Sequence, residues 1–142
     1  MHVLLVEDRA VDRELIKEAL EQRGARVTLA ASDTEAYSLL QTDKLGRLDG
    51  LLTDIDLGLG TTGFDVARVA RADRPDLPVV YITGFGLRTE GHTVEGSLTL
   101  RKPLQLSELV EPVLAFYKGD AEGEVRRRRG GDTGGASAPA GE

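Results

Sequence analysis

The chain has 142 residues, no cysteine, and 24 acidic against 18 basic side chains, for a net charge of −6. That length gives room for one domain with its own core, and the missing cysteine excludes disulfides, thiolate metal sites and a cysteine nucleophile. The acidic balance speaks against a general nucleic-acid surface, and no apolar run approaches the roughly 18 residues of a membrane span.

The N-terminus opens directly into Val3-Leu4-Leu5-Val6 without a basic lead-in, so no signal peptide is expected and the cytoplasm is the expected location. This first run is continuously apolar, as strands buried on both faces of a parallel sheet are. A helical pattern follows, with Val11, Leu15, Ala19 and Leu20 as its apolar side and Gly24 as its stop. Arg26-Val27-Thr28-Leu29 alternates, which suits a sheet edge with one drier and one wetter face. Ser32-Asp33-Thr34-Glu35 is a capping-box pattern opening a second helix, with Ala36, Leu39 and Leu40 inward.

Leu51-Leu52 leads into Thr53-Asp54 as a third strand, and a third helix is predicted from about Phe64 to Ala72, with Phe64, Ala67, Val69 and Ala70 apolar. Val79-Val80-Tyr81-Ile82 is a fourth, fully apolar strand. Between Gly86 and Gly96 the helical period is poor, so that stretch reads as loop or a frayed turn. Ser97-Leu98-Thr99-Leu100 alternates as the other edge strand, and a last helix covers about Leu106 to Tyr117, bent or loosened by Pro112.

Alternating strands and helices predict an α/β fold, a doubly wound five-stranded parallel sheet. In strand order 2-1-3-4-5 the two alternating strands fall at the edges. Residues 1–118 form the expected domain. From Gly119 to Glu142 the composition turns to Gly, Ala, Ser, Pro and charge, including Arg126-Arg127-Arg128-Arg129, and reads as a disordered tail with a solvated charge run.

In such sheets ligands bind at the carboxyl ends of strands, where strand order reverses. Those ends carry Glu7-Asp8, Asp54, Thr83-Gly84 and Arg101-Lys102-Pro103. Strands 1 and 3 are neighbours, so Glu7, Asp8 and Asp54 share one crevice. Three carboxylates there repel one another, and at least one should have a raised pKa. A hard cation such as Mg²⁺ resolves this, since it takes one or two carboxylates and a phosphate oxygen while keeping several waters. Lys102 adds a mobile positive charge, Thr83 a hydroxyl donor, and Gly84 open space. A carboxylate nucleophile, a metal and further donors are what aspartyl-phosphate chemistry needs. Each piece alone has a plainer use: Glu7-Asp8 as helix-capping acids, Asp54 as a turn residue, Thr83-Gly84 as loop, Lys102 as a surface lysine. Their joint placement at adjacent strand ends favours the chemical reading. His2 and His92 have no partners at ligand spacing and read as structural or solvent-facing.

At Val6-Glu7-Asp8, Leu52-Thr53-Asp54, Ile82-Thr83-Gly84 and Arg101-Lys102-Pro103 the chain resembles the response-regulator receiver domain of two-component signalling, over about residues 2 to 118. Asp54-Ile55-Asp56-Leu57-Gly58-Leu59-Gly60 and Tyr81-Ile82-Thr83-Gly84-Phe85 look most like single-domain receivers and those attached to hybrid histidine kinases. The resemblance implies a flavodoxin-like fold, Asp54 as phosphoacceptor, and Mg²⁺ held by Asp8, Asp54 and the Asp56 backbone carbonyl, with Glu7 acting through water. It further implies Thr83 as the switch hydroxyl, Lys102 as a phosphate partner, and a cis Lys102-Pro103 peptide. Two departures stand out: the fourth helix is shortened, and Thr99 stands where many receivers have an aromatic switch residue.

The implied donor is a histidine kinase or histidine phosphotransfer protein. With no output domain expected after residue 118, direct DNA binding is not expected. Output would pass through the stretch before the fifth strand, that strand and the last helix, whose apolar surface could also pair two copies as a homodimer. Asp54-Ile55-Asp56 also resembles the nucleophile motif of haloacid-dehalogenase-type phosphatases, but there the nucleophile lies on the first strand and the acidic pair comes late. Here Glu7-Asp8 precede Asp54, and there is no cap domain, so enzymatic turnover beyond self-phosphorylation and autodephosphorylation is not expected. A binding-only pseudo-receiver would lack part of the acidic pocket, which this chain retains. Asp56, near the phosphorylation site, is expected to tune phosphoryl lifetime.

Overall fold

Five strands, β1 (His2–Val6), β2 (Arg26–Ala30), β3 (Gly50–Asp54), β4 (Val79–Thr83) and β5 (Leu98–Arg101), pair in parallel in the order β2-β1-β3-β4-β5 in the computed structural model. The helices are α1 (Ala10–Glu21), α2 (Asp33–Leu40), α3 (Gly63–Asp73) and α4 (Leu106–Lys118). The structure describes residues 1–42, 45–58, 62–84, 89, 91–102 and 105–119. The Lys102-Pro103 peptide, Leu59, Gly60, Phe85 and the tail with Arg126 to Arg129 lie outside them. The chain divides into two compact units, Met1–Val110 and Glu111–Glu142. In the second, Val113, Leu114, Phe116 and Tyr117 are buried, and the Phe116 and Tyr117 rings lie 6.4 Å apart. Pro112 lies inside α4.

The first unit is built on β1, β3 and β4, buried at every position. Their Val, Leu and Ile side chains each gain roughly 1.5–3 kcal/mol on leaving water. The edge strands depart from the expected alternation. β2 grades from exposed Arg26 to buried Ala30, and β5 from buried Leu98 to exposed Arg101. Exposure there follows position along the strand rather than side-chain parity. His2 is buried and structural. Its ring nitrogens meet the Arg47 carbonyl at 3.0 Å and Thr28 Oγ1 at 2.7 Å, and its backbone N–H donates to Asp49 Oδ2 at 2.7 Å. This one residue fastens β1 to β2 and to the lead-in of β3.

α1 corrects one expectation. Its buried residues are Ile16 and Leu20, whereas Val11 is 71% and Leu15 46% exposed. Val11 and Leu15 do lie one turn apart, but their stripe is rotated about 140° from the one through Ile16 and Leu20. Gly24, at φ +91°, ends the helix as expected, with its N–H donating to the Glu21 carbonyl. α2 opens on Ser32, whose Oγ accepts the Glu35 N–H at 3.1 Å. Glu35 Oε1 in turn accepts the Ala31 N–H at 2.8 Å, one residue earlier than a capping box would place it. In α3 Val66 is buried and Val69 is exposed, so the inward face is Phe64, Val66, Ala67 and Ala70.

Between β4 and β5 the described residues form turns and no helix, in line with the poor period there. Side chains of α3 and β4 hold this connection. The Tyr81 hydroxyl accepts the Val94 N–H at 3.0 Å, and Arg71 Nη2 donates to the Glu95 carbonyl at 3.0 Å. The His92 ring stacks on Phe64 with centroids 5.1 Å apart, and Phe64 meets Tyr81 edge-on at 5.5 Å. Tyr81 is the register partner of Thr99, so the buried aromatic here belongs to β4 rather than β5.

Candidate functional site

Register assembles the site. Val6 pairs with Thr53, so the residues following β1 lie beside Asp54 at the end of β3. Asp54 pairs with Ile82, which brings Thr83 to the same level, and Thr83 pairs with Arg101. The Lys102 N–H then donates to the Thr83 carbonyl at 2.8 Å, turning the lysine over the crevice. One carboxylate oxygen from each of Glu7, Asp8 and Asp54 lies within 4.8 Å of the others. Lys102 Nζ is 3.0 Å from Asp54 Oδ2 and 3.9 Å from Glu7 Oε1. The ammonium therefore bridges two of the three acids.

The second Asp54 oxygen, Oδ1, accepts the Asp56 N–H at 3.1 Å. Asp56 is exposed, and its Oδ1 accepts the Gly58 N–H at 3.1 Å in a tight side-chain turn. Gly58 has φ +79°, and a Cβ there would reach Asp8 Oδ2 at 3.6 Å, so this loop folds back against the acidic pair. Thr83 is fully buried; its hydroxyl donates to the Gly84 carbonyl at 3.4 Å, a long and weak bond. A side chain built on Gly84 would meet nothing within 4 Å, which is the open space expected there.

Glu7 carries the electrostatic strain. It is completely buried, and its pKa is pushed up to about 7, first by burial and also by the Asp54 charge and the neighbouring Asp8 carboxyl. The Arg9 N–H, 3.1 Å from Oε2, and the Lys102 charge act the other way. A raised carboxylate was expected from mutual repulsion, but loss of water is the larger cause. Burial also presses the Lys102 pKa down, yet the Asp54 hydrogen bond and charge, with Glu7, outweigh it and leave the pKa raised.

Glu7 Oε1 is buried without a hydrogen-bond partner. A buried oxygen of that kind beside two more carboxylates fits a hydrated divalent cation, whose waters supply the missing donors. The donor set is all oxygen, which suits Mg²⁺ rather than a softer metal.

Two contributors escaped the sequence reading. Gly63 begins α3 with its N–H donating to the Ile55 carbonyl at 2.9 Å. A Cβ on it would collide with the Asp54 carbonyl oxygen and lie 3.0 Å from Ile55 Cα. Glycine at the first position of a helix, where propensity disfavours it, was the only signal. Arg13 reaches back from α1, donating through Nη1 to the Glu7 carbonyl at 2.9 Å. Nothing in the sequence separates it from the other charges of α1.

The model of the response regulator receiver domain matches residues 3–114. The chain is 33% identical over 114 residues to the response regulator receiver protein CpdR of Brucella abortus, covering 78% of this chain and 92% of that protein. It is 30% identical over 115 residues to the response regulator SaeR of Staphylococcus aureus, covering 77% of this chain but spanning only 47% of SaeR. Among solved structures, a response regulator receiver protein from Sinorhizobium medicae superposes with a TM-score of 0.75 at 32% identity, covering 84% of this chain and 96% of its own. The receiver domain of the hybrid histidine kinase CckA superposes with a TM-score of 0.69 at 27% identity, covering 82% and 99%. Receiver domains are signalling domains that work with histidine kinases or phosphotransfer proteins, and they typically bind Mg²⁺. The strand order agrees with these matches, and the chain belongs to the response regulator receiver domain family of two-component signalling.

Proposed function

We propose that residues 1–118 are a cytoplasmic phosphorylation switch in which Asp54 accepts a phosphoryl group from a phosphohistidine donor with Mg²⁺ bound beside it. The observation that carries this reading is the convergence of Glu7, Asp8 and Asp54 within 4.8 Å under the Lys102 ammonium. An Asp54 carboxylate oxygen attacks phosphorus, the P–N bond to the donor imidazole breaks, and an acyl phosphate forms. The ring leaves with the electron pair and takes up a proton. Asp8, Asp54 and the Asp56 carbonyl, with Glu7 acting through water, would hold Mg²⁺, which would supply positive charge to neutralise phosphoryl oxygens. Lys102 moves from the carboxylate to a phosphoryl oxygen. Thr83, weakly held at 3.4 Å, turns its hydroxyl to another, and these new contacts bias the fold between two states.

Output then passes by protein contacts or onward phosphotransfer, through a surface that includes β5; α4 offers a face for a homodimer. Transfer of labelled phosphate from a phosphorylated histidine kinase or phosphotransfer protein to wild type, and not to Asp54→Asn, is the expected result. Equal labelling of both would end this reading.

In this reading the donor approaches over the loop after β1. There α1 presents Val11 and Leu15, one turn apart and exposed. Replacing both with Glu is expected to slow phosphotransfer from the protein donor roughly tenfold, about 1.4 kcal/mol, and to leave labelling by acetyl phosphate unchanged. Equal slowing with both donors would place the defect in the site instead.

Asp56 is exposed beside the reacting carboxylate, and we hold that its side chain tunes the lifetime of the phosphoryl group. Decay of the phosphorylated protein is expected to change several-fold in Asp56→Asn. Identical decay rates would reject the role.

A further inference from the structure

We propose that Arg13 is a positioning residue for the metal site, setting the backbone from which Glu7 and Asp8 project; this rests on the Mg²⁺ reading of the acidic cluster. The β1 ladder ends where Val6 pairs with Thr53, and the last strand-like bond is the Glu7 N–H to the Ala30 carbonyl at 3.1 Å. The chain then turns sharply into α1, and the carbonyls of Glu7 and Asp8 lie beyond the sheet. Glu7 is wholly buried, so its carbonyl needs a partner inside the protein. Arg13 supplies it. Its own N–H closes the first turn of α1 on the Arg9 carbonyl at 2.9 Å. Its Nη1 donates to the Glu7 carbonyl at 2.9 Å and lies 3.5 Å from the Asp8 carbonyl. One rigid guanidinium thus fixes the Glu7 peptide unit and lies at the outer limit of a bond to the next, while the Arg9 N–H holds Glu7 Oε2 from the other side.

Two effects of Arg13 on a cation oppose each other. Its positive charge repels Mg²⁺, and its hydrogen bonds hold the carboxylates in place for it. If charge dominated, removing Arg13 would tighten binding. If positioning dominates, as the short bond to the Glu7 carbonyl indicates, removal loosens it.

Calorimetric titration of Mg²⁺ into the full 142-residue chain decides the sign. Arg13→Ala is expected to bind Mg²⁺ about tenfold more weakly than wild type, and Arg13→Lys, with the charge but a single donor group, to fall between them. Gly24→Ala, strained by φ +91° in the turn before β2 at the opposite end of the sheet from the site, serves as a control for lost stability and should leave the affinity unchanged. Arg13→Ala binding as tightly as wild type, or tighter, would overturn the positioning role, as would equal weakening in Gly24→Ala. If wild type itself binds no Mg²⁺, the reading of the cluster fails and this inference fails with it.

Discussion

Glu7→Gln should make the metal-free protein more stable at pH 8 than wild type, by up to about 3 kcal/mol, and should remove most of a pH dependence that wild type shows between about pH 4.5 and 7. The sign follows from the raised pKa. Below 4.5 the Glu7 carboxyl is protonated in both folded and unfolded chains and contributes no difference. As pH rises toward 7, the unfolded chain releases the proton while the folded chain retains it, so stability falls. Above 7 the folded protein carries a buried carboxylate beside Asp54, and the full loss persists. Glutamine cannot ionise and escapes this loss. Urea unfolding followed by circular dichroism at pH 5 and pH 8, in EDTA, measures it. A wild type and variant with the same pH slope would show that Glu7 is not strained. In saturating Mg²⁺ the order should narrow or reverse, because the ion stabilises only the fold that holds it.

Gly63→Ala should destabilise the protein by about 1–3 kcal/mol and slow phosphorylation, although helix propensity alone predicts a gain of about 1 kcal/mol. The steric term wins because the colliding atoms are backbone. The Asp54 carbonyl oxygen and Ile55 Cα cannot swing aside as a side chain would. α3 must retreat, stretching the bond from the Gly63 N–H to the Ile55 carbonyl, or the end of β3 must move, taking Asp54 with it. Gly24→Ala is the informative comparison. It is strained by φ +91° but meets no neighbour, so it should lose stability without altering phosphorylation. A Gly63→Ala protein that is more stable than wild type and reacts normally would contradict the close packing of α3 on β3.

The central strands were legible because burial on both faces leaves a continuous apolar run, and Val3 to Val6 and Val79 to Ile82 admit little else. Once their order was set, Glu7, Asp8, Asp54, Thr83 and Lys102 fell together, since each stands at or just past a strand end. Less legible were features decided by how elements meet. Val11 and Leu15 form an apolar stripe as regular as the one through Ile16 and Leu20, and periodicity cannot say which faces the sheet. The edges misled for a related reason: His2 covers Thr28 on β2, so a polar position is not a wet one. Gly63 and Arg13 act through backbone atoms of Asp54 and Glu7, and no side-chain pattern announces a contact with a carbonyl.

The most direct test is the intact mass of the protein after incubation with acetyl phosphate, which needs no partner. Wild type with Mg²⁺ is expected to gain a single phosphate, and Asp54→Asn, or wild type in EDTA, to gain none. An adduct that persists in Asp54→Asn or without the metal, or a wild type that neither gains phosphate nor releases it from acetyl phosphate, would contradict the account.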